Sequence, residues 1–309
     1  MPNTVLISDF GVPQEVLDHN VGAFKVGGAE QHDGALVYYL KDMRGLDVAV
    51  WKCSEVNPGM INLEDRYIIS NYTGLSPAVK EQLQVFGNYL IYEHDHQYCA
   101  NRNPFMFPDM LVPIQAQMNI PFYACAAGVV CMTSKHESVL RRNVDVKKSC
   151  NIGGTFYYQE ELDFMQELLH KKKNNKLRLK KPEIAAVYGH PHPLKGLHNS
   201  VRYCHKHDIP FEVMVSKPTK KEFLEEMATF SRIVFLPLQP ETCCRIVVEA
   251  LMLGLNVQTA GIVGATGEPW FNLKPEEIIT ELGLPLRERA MSCIVDTLLT
   301  VKDVSHSNT

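Results

Sequence analysis

The stretch Ile184-Ala185-Ala186-Val187-Tyr188-Gly189-His190-Pro191-His192-Pro193-Leu194-Lys195-Gly196 decides the fold. Five small or apolar residues make a short strand with both faces buried, Gly189 ends it, and a helix is expected from about Leu194. The same unit recurs downstream. Strands are expected over 211–215, 233–236 and 256–260, alternating with helices over 219–229 and about 247–253 and with one opened by Pro275. Strands and helices in alternation at this spacing mean βαβ units and a parallel sheet.

Working outward, the first half carries the same rhythm. Residues 5–8 read as a strand, and Gly27 and Gly28 precede an apolar-periodic stretch through Ala35, Leu36, Tyr39 and Leu40. Further strands are expected over 47–51, 67–70 and 90–92, with 129–132 as the last of this half, and Pro77 opens a helix that ends near Phe86. A polar, finally basic segment over 150–182 connects the halves. The predicted fold class is therefore α/β. Two Rossmann-like domains, 1–150 and 151–309, face each other across a cleft, and the final helix, about 286–299, is free to pack on either. Ligands of open parallel sheets lie at the carboxyl ends of the strands, so the cleft is the expected site.

Composition bounds the function. At roughly 150 residues per domain, 309 residues suit two domains. With 45% hydrophobic and 21% charged residues the chain is neither disordered nor a coiled coil, and no apolar run reaches membrane-span length. The N-terminus lacks a basic region and a long apolar core, so no secretory signal is expected. The nine cysteines are scattered with no Cys-x-x-Cys pair, which argues against structural zinc and for a reducing, cytoplasmic setting. A net charge of −4 excludes a globally basic nucleic-acid binder. Local basic runs at Arg141, Arg142, Lys147 and Lys148 and over 171–181 read either as solvated faces or as a patch for a polyanion.

Chemistry concentrates in a few places. Glu241 and Glu249 stand eight positions apart, the second inside an apolar helix with Val247, Val248, Ala250 and Leu251. A carboxylate there is costly to bury without a partner. Eight helical residues rise about 12 Å, too far for a glycosidase pair at roughly 5–9.5 Å. Pro240 places Glu241 in the loop before the helix instead, where the two carboxylates meet different hydroxyls of one extended ligand. Lys195 and Gly196 open a helix, whose N-terminus favours an anion. The densest polar cluster, Glu93-His94-Asp95-His96-Gln97-Tyr98, follows a strand. A carboxylate among histidines suits a general base with its orienter, a buried structural pair, or a metal site. If the strand continues, His94 and His96 share one face and Asp95 the other.

Taken together these residues resemble the two-domain (GT-B) retaining glycosyltransferases, which carry a Glu-x7-Glu element followed by Ala and Gly. Glu241, Glu249, Ala250 and Gly254 match it. The resemblance implies that Glu249 holds the nucleotide ribose, Glu241 the transferred sugar, and Lys195 with Gly196 the diphosphate. His190 stands where the family commonly has Arg, so Arg245 or Lys217 are the expected compensating cations. Gly27-Gly28 is similar to the family's first glycine pair, and the loop Gly261-Ile-Val-Gly264-Ala-Thr-Gly267-Glu268 to its glycine-containing loop, with Gly264 at the donor. The family places a His-containing segment where His94, Asp95 and His96 fall, lining the sugar and acceptor end, and needs no metal. The usual Phe-Gly after the first glutamate is replaced by Cys243 and Cys244.

The implied activity is transfer of a sugar from a nucleotide-sugar, a UDP-sugar, to an acceptor hydroxyl with retention, without a further cofactor. The Glu-His-Asp-His string followed by Arg102-Asn-Pro resembles glycosyltransferases of phages, which implies a host-cytoplasmic enzyme whose acceptor is a hydroxymethylated pyrimidine in DNA, the basic runs contacting phosphates. A saccharide, lipid or protein acceptor, a nucleotide-sugar epimerase or phosphorylase of the same fold, and a non-catalytic nucleotide-binding protein are the alternatives.

Overall fold

The computed structural model describes residues 3–13 and 27–299. Its first sheet comprises β1 (Thr4–Ser8), β2 (Val48–Lys52), β3 (Arg66–Ile69), β4 (Tyr89–Tyr92), β5 (Gly128–Cys131) and β6 (Ser149–Asn151). They run parallel in the order β2-β1-β3-β4-β5-β6. The second sheet comprises β7 (Ala185–Tyr188), β8 (Phe211–Met214), β9 (Arg232–Phe235) and β10 (Asn256–Thr259), parallel in the order β10-β9-β7-β8. The expected α/β architecture of two Rossmann-like domains is thus the observed one. Both sheets have a switch point, beside β1 in the first and beside β7 in the second, where successive crossovers leave in opposite directions and a crevice opens at the strands' carboxyl ends.

The helices are α1 (Gly28–Arg44), α2 (Pro77–Phe86), α3 (Ile120–Cys125), α4 (Ser134–Asn143), α5 (Gln159–Lys173), α6 (Leu197–Lys206), α7 (Lys220–Ala228), α8 (Arg245–Met252), α9 (Pro275–Glu281) and α10 (Leu284–Leu299). Their ends follow local chemistry. Ser76 accepts from the Val79 amide and Pro77 fills the first turn of α2, which closes on a left-handed Gly87. Thr219 and Glu222 form a reciprocal capping box on α7.

The inner strands are buried on both faces, whereas the edge strands β2, β6, β8 and β10 are partly exposed. In β1, Leu6 joins a core that continues through Ile68, Leu90, Phe156, Val247 and Trp270, while Val5 and Ile7 join a second core with Ile69, Ile91 and Phe122. The first of these cores runs without interruption from one sheet to the other.

Two features depart from the sequence reading, and a third settles a placement it left open. A sixth strand, β6, follows the one expected to be last. Its Ser-Cys-Asn sequence lacks an apolar run, and it forms only because β5 offers a free edge. Helix α10, which the sequence left free to pack on either domain, lies against α1 and against β4 to β6 of the first sheet. Cys150 on β6 and Cys293 on α10 are joined as a disulfide, 6.6 Å between their Cα atoms, a pairing that a reducing setting does not favour.

Candidate functional site

A cleft of about 960 Å³ lies between the carboxyl edges of the two sheets. Its walls bring together Gly27, Gly28, His94, Asp95, His190, Lys195, Glu241, Arg245 and Glu249, residues up to 222 positions apart in sequence. Parallel strands explain the convergence. Lys195 follows β7 and Glu241 follows β9, neighbours in one sheet, so both loops emerge at the same edge. Three helix N-termini also reach the cleft wall: Gly27 and Gly28 at α1, Thr219 and Lys220 at α7, Cys244 and Arg245 at α8. Their unpaired amides and dipoles favour a bound anion.

Lys195 sits in a single 3-10 turn, Pro193–Lys195, just before α6. Its Nζ lies 2.7 Å from Glu241 Oε1. Burial alone would lower the ammonium pKa, but the Glu241 carboxylate outweighs it and holds Lys195 above the ordinary lysine range. Glu241 is in the loop, as Pro240 implied, with its backbone bridged to Val263 and its carbonyl accepting from the Gly264 amide at 2.7 Å. The group read as the phosphate cation and the group read as the sugar acceptor therefore neutralise each other.

Glu249 is buried on α8, 4% exposed. Its Oε1 lies 3.1 Å from Lys220 Nζ and 3.4 Å from Arg245 Nε, charge contacts without hydrogen-bond geometry. Glu161 on α5 completes the cluster, pairing with Lys220 and, at 3.0 Å, with Arg245 Nη2. Arg245 also donates to the Phe156 carbonyl at 2.9 Å and lies 4.1 Å from the centre of the Tyr157 ring. Two cations and two carboxylates thus sit fully paired at the base of the cleft. Glu161 is held below the usual carboxylate range by Lys220 and Arg245 against the opposing effect of burial. Arg245 and Lys217, expected as compensating cations, are both committed, Lys217 to Glu226 at 2.8 Å.

The histidine segment divides. β4 ends at Tyr92 and the chain turns left-handed at His96 (φ 53°), so His94 and His96 do not share a strand face. His94 faces the cleft, with Nε2 at 2.9 Å from Asp33 Oδ1; Ser70 donates to the same carboxylate at 2.7 and 2.9 Å. Burial pulls the His94 pKa down, but Asp33, reinforced by Asp95 and Glu93, raises it above the ordinary value. Beside it His32 bonds Tyr92 at 2.6 Å and Thr155 at 2.9 Å, and burial keeps this ring well below the usual range. Asp95 lines the cleft and pairs with Arg102 at 2.6 Å; burial nevertheless raises its pKa. Glu93 points away, accepting from Tyr123 and from the Gln97 amide.

His96 lines a second cavity, of about 200 Å³, which Gly264 also borders. Glu241 and Thr242 stand between this cavity and the cleft, and Thr242 is clamped there: its Oγ1 donates to the His94 carbonyl at 2.6 Å and its carbonyl accepts from Thr133 Oγ1 at 2.7 Å. A Cβ at Gly264 would stand 2.1 Å from the Thr242 carbonyl oxygen, so the clamp leaves no room for a side chain there. Gly196 likewise admits no side chain. It has φ +74°, and a Cβ there would meet the Leu236 carbonyl oxygen at 1.9 Å. Cys244 adopts φ 76°, a left-handed conformation that glycine tolerates and a side chain strains.

Sequence reasoning missed His32, Asp33, Glu161 and Lys220. The signal for the first two was present: both lie on the α1 face that carries Leu36 and Leu40, where a polar residue is buried. Among the described residues no three His, Cys, Asp or Glu side chains are placed to hold a metal ion, and no helix is long and apolar enough to cross a membrane.

No protein-family model and no curated protein matches the sequence. Solved structures do. An α,α-trehalose 6-phosphate synthase from Burkholderia multivorans is 11% identical with a TM-score of 0.50, over 95% of this chain and 82% of that one. A sucrose-phosphate synthase from Thermosynechococcus elongatus is 13% identical (TM-score 0.48), over 99% and 98%. Anabaena HepE, solved with UDP and glucose, is 11% identical (TM-score 0.45), over 99% and 98%. At this identity the likeness is one of fold: the chain has the two-domain GT-B architecture of glycosyltransferases.

Proposed function

We propose that the chain is a glycosyltransferase that moves a sugar from a nucleoside diphosphate sugar, a UDP-sugar, to an acceptor hydroxyl. The observation that carries this reading is the convergence of three helix N-termini, Lys195, Glu241 and Glu249 on one cleft at the switch points of two facing sheets. In this reading the diphosphate takes Lys195 from Glu241 and lies against the helix N-termini. Glu241, released, accepts hydrogen bonds from the sugar, and Glu249 from the ribose at the cleft wall. Positive partial charges already in place stabilise the leaving diphosphate as the glycosidic bond breaks. Retention, the acceptor attacking on the face the diphosphate leaves and passing it its proton, is the outcome proposed from the motif resemblance.

The Asp33–His94 pair favours a second reading of the stereochemistry. A histidine oriented by a buried carboxylate and facing the cleft is equipped to take the acceptor proton in a direct, inverting displacement. The anomeric configuration of the product, read by NMR, separates the two.

For the acceptor, the electrostatic case for DNA is weakened but not removed. Arg141 pairs with Glu137, Lys171 with Glu167, Lys173 with Glu276 and Lys180 with Glu212, four of the eleven Lys and Arg side chains in the basic runs. We propose a small hydroxyl-bearing acceptor, whose binding depends weakly on salt, whereas a DNA acceptor would show a steep dependence.

The test is a thermal-shift series with UDP, GDP and their sugars. A ligand at one hundred times its Kd adds about 2.7 kcal/mol to stability. A shift with UDP and UDP-sugars supports the reading, as does UDP release that requires an added acceptor. No shift with any nucleoside diphosphate overturns it.

A further inference from the structure

The second cavity is not explained by the cleft reading. Its wall includes Lys135, His136, Ser138 and Arg142 of α4 and its approach, with Met110 and Ile262 opposite. The charges there are unbalanced. Lys135 bonds only neutral oxygens, the Gly261 carbonyl at 3.0 Å and Thr266 Oγ1 at 2.5 Å. Arg141 is paired with Glu137, but Arg142 beside it has no ion-pair partner among the described residues. Glu241 is the one carboxylate on the wall, and it is held by Lys195.

His136 adds a donor without an acceptor. Its ring is 3% exposed, and its Nδ1 accepts from the Met132 amide at 3.3 Å. A neutral ring bonded in this way carries its proton on Nε2, and that atom is buried with no partner among the described residues. The His96 ring stands edge-on at 4.8 Å and offers at best a weak N–H···π contact. A buried donor left unmet normally signals a missing acceptor. Two uncancelled cations beside it call for an anionic one, and the apolar side chains opposite call for an organic body behind the charge. A volume of about 200 Å³ is room for about six water-sized groups at roughly 30 Å³ each, the scale of a small phosphate ester.

We propose that this cavity is a binding site for a small phosphate monoester, its oxyanion held by Arg142, Lys135 and the His136 Nε2–H and its apolar part against Met110 and Ile262. The site is distinct from the nucleotide cleft, from which Glu241 and Thr242 divide it. Because Glu241 borders both, a diphosphate that takes Lys195 would leave that carboxylate uncancelled, which weakens the ester without excluding it.

Phenyl phosphate is the probe, with phenol and inorganic phosphate as controls, titrated calorimetrically into the full chain in the absence and presence of saturating UDP. Phenyl phosphate is expected to bind at least tenfold more tightly than either control. Arg142→Gln, an exposed helix position, should weaken it by at least tenfold, and Ser138→Leu, which fills the cavity from the same exposed helix, should abolish it. UDP should bind both variants as it binds the parent protein. The proposal is overturned if phenyl phosphate does not bind, if Arg142→Gln and Ser138→Leu bind it like the parent, if inorganic phosphate binds equally well, or if saturating UDP abolishes its binding rather than weakening it and so places it in the cleft. Failure of UDP to bind at all would sink the cleft reading and leave these outcomes readable.

Discussion

Replacing Glu241 with Gln should tighten the binding of UDP while crippling turnover of a UDP-sugar, and this pairing of opposite effects tests the site most sharply. The perturbation acts on the 2.7 Å contact with Lys195, whose side chains are 30% and 12% exposed. Two unit charges at about 4 Å attract by about 4 kcal/mol at an effective dielectric of 20. A diphosphate that takes over Lys195 must break that contact and then lie beside an unpaired carboxylate. It recovers most of the attraction itself and water screens part of the rest, so a net penalty of about 1.4 kcal/mol, tenfold in Kd, is the expected size. Glu241→Gln removes this penalty and keeps the shape, so UDP should bind about tenfold more tightly. Lys195→Met removes a charge-assisted contact of about 1.5–3 kcal/mol, so UDP should bind about ten- to a hundredfold more weakly. Turnover should fall in both, since the sugar loses Glu241 in one and the leaving group loses its cation in the other. Isothermal titration with UDP at low ionic strength is the assay, because screening compresses the difference. Equal weakening by both substitutions would refute the reasoning: it would mean that the two groups do not compete for one anion.

Other expectations follow from particular contacts. Burial lifts the Glu93 pKa from 4.5 to about 7, so between those values the unfolded chain has released a proton that the native one keeps, and stability falls as pH rises, by about 3 kcal/mol over the interval. Denaturant titrations of Glu93→Gln at pH 4.5 and pH 7.5 should show that fall removed; an unchanged pH dependence would contradict the assignment. Cys244→Gly should raise stability by about 1 kcal/mol, because φ 76° strains any side chain at that position, and a melting temperature that drops would show that the thiol's packing outweighs the strain. Glu161→Gln leaves Lys220 and Arg245 facing one carboxylate in a buried site and should cost about 3–5 kcal/mol in chemical denaturation, against under 1 kcal/mol for a solvated surface pair.

What the sequence made legible, and what it hid, has one physical origin. Lys195 and Glu241 are 46 residues apart, yet their meeting was readable, because strand–helix alternation implies a parallel sheet and a parallel sheet delivers successive loops to one edge. Pro240 likewise located Glu241 ahead of α8, since a proline belongs before a helix and not within it. The same local logic failed wherever a second element decided the outcome. His94 and His96 were expected on one face, but a left-handed turn at His96 sends one ring to the cleft and the other to the smaller cavity. Gly264 was read as a donor-side glycine; the structure sets it on the wall of the smaller cavity, where the close approach of Thr242, from a loop 22 residues earlier, leaves no room for a side chain.

Charge shows the limit most clearly. Arg245 and Lys217 looked like free cations because a sequence lists charges without their distances; folded, Glu161, Glu249 and Glu226 cancel them. Arg142, which looked like one member of a basic run, is the cation left uncancelled, and it is uncancelled because Arg141 one position earlier faces Glu137 across a helical turn. Net charge, balanced over the second half and slightly negative over the whole chain, says nothing about either fact. The electrostatics that select an anion here are set by which cations lack a neighbour. That is a property of pairwise geometry, so the two cavities proposed to hold such anions can be told apart only by perturbing Lys195 and Arg142 one at a time.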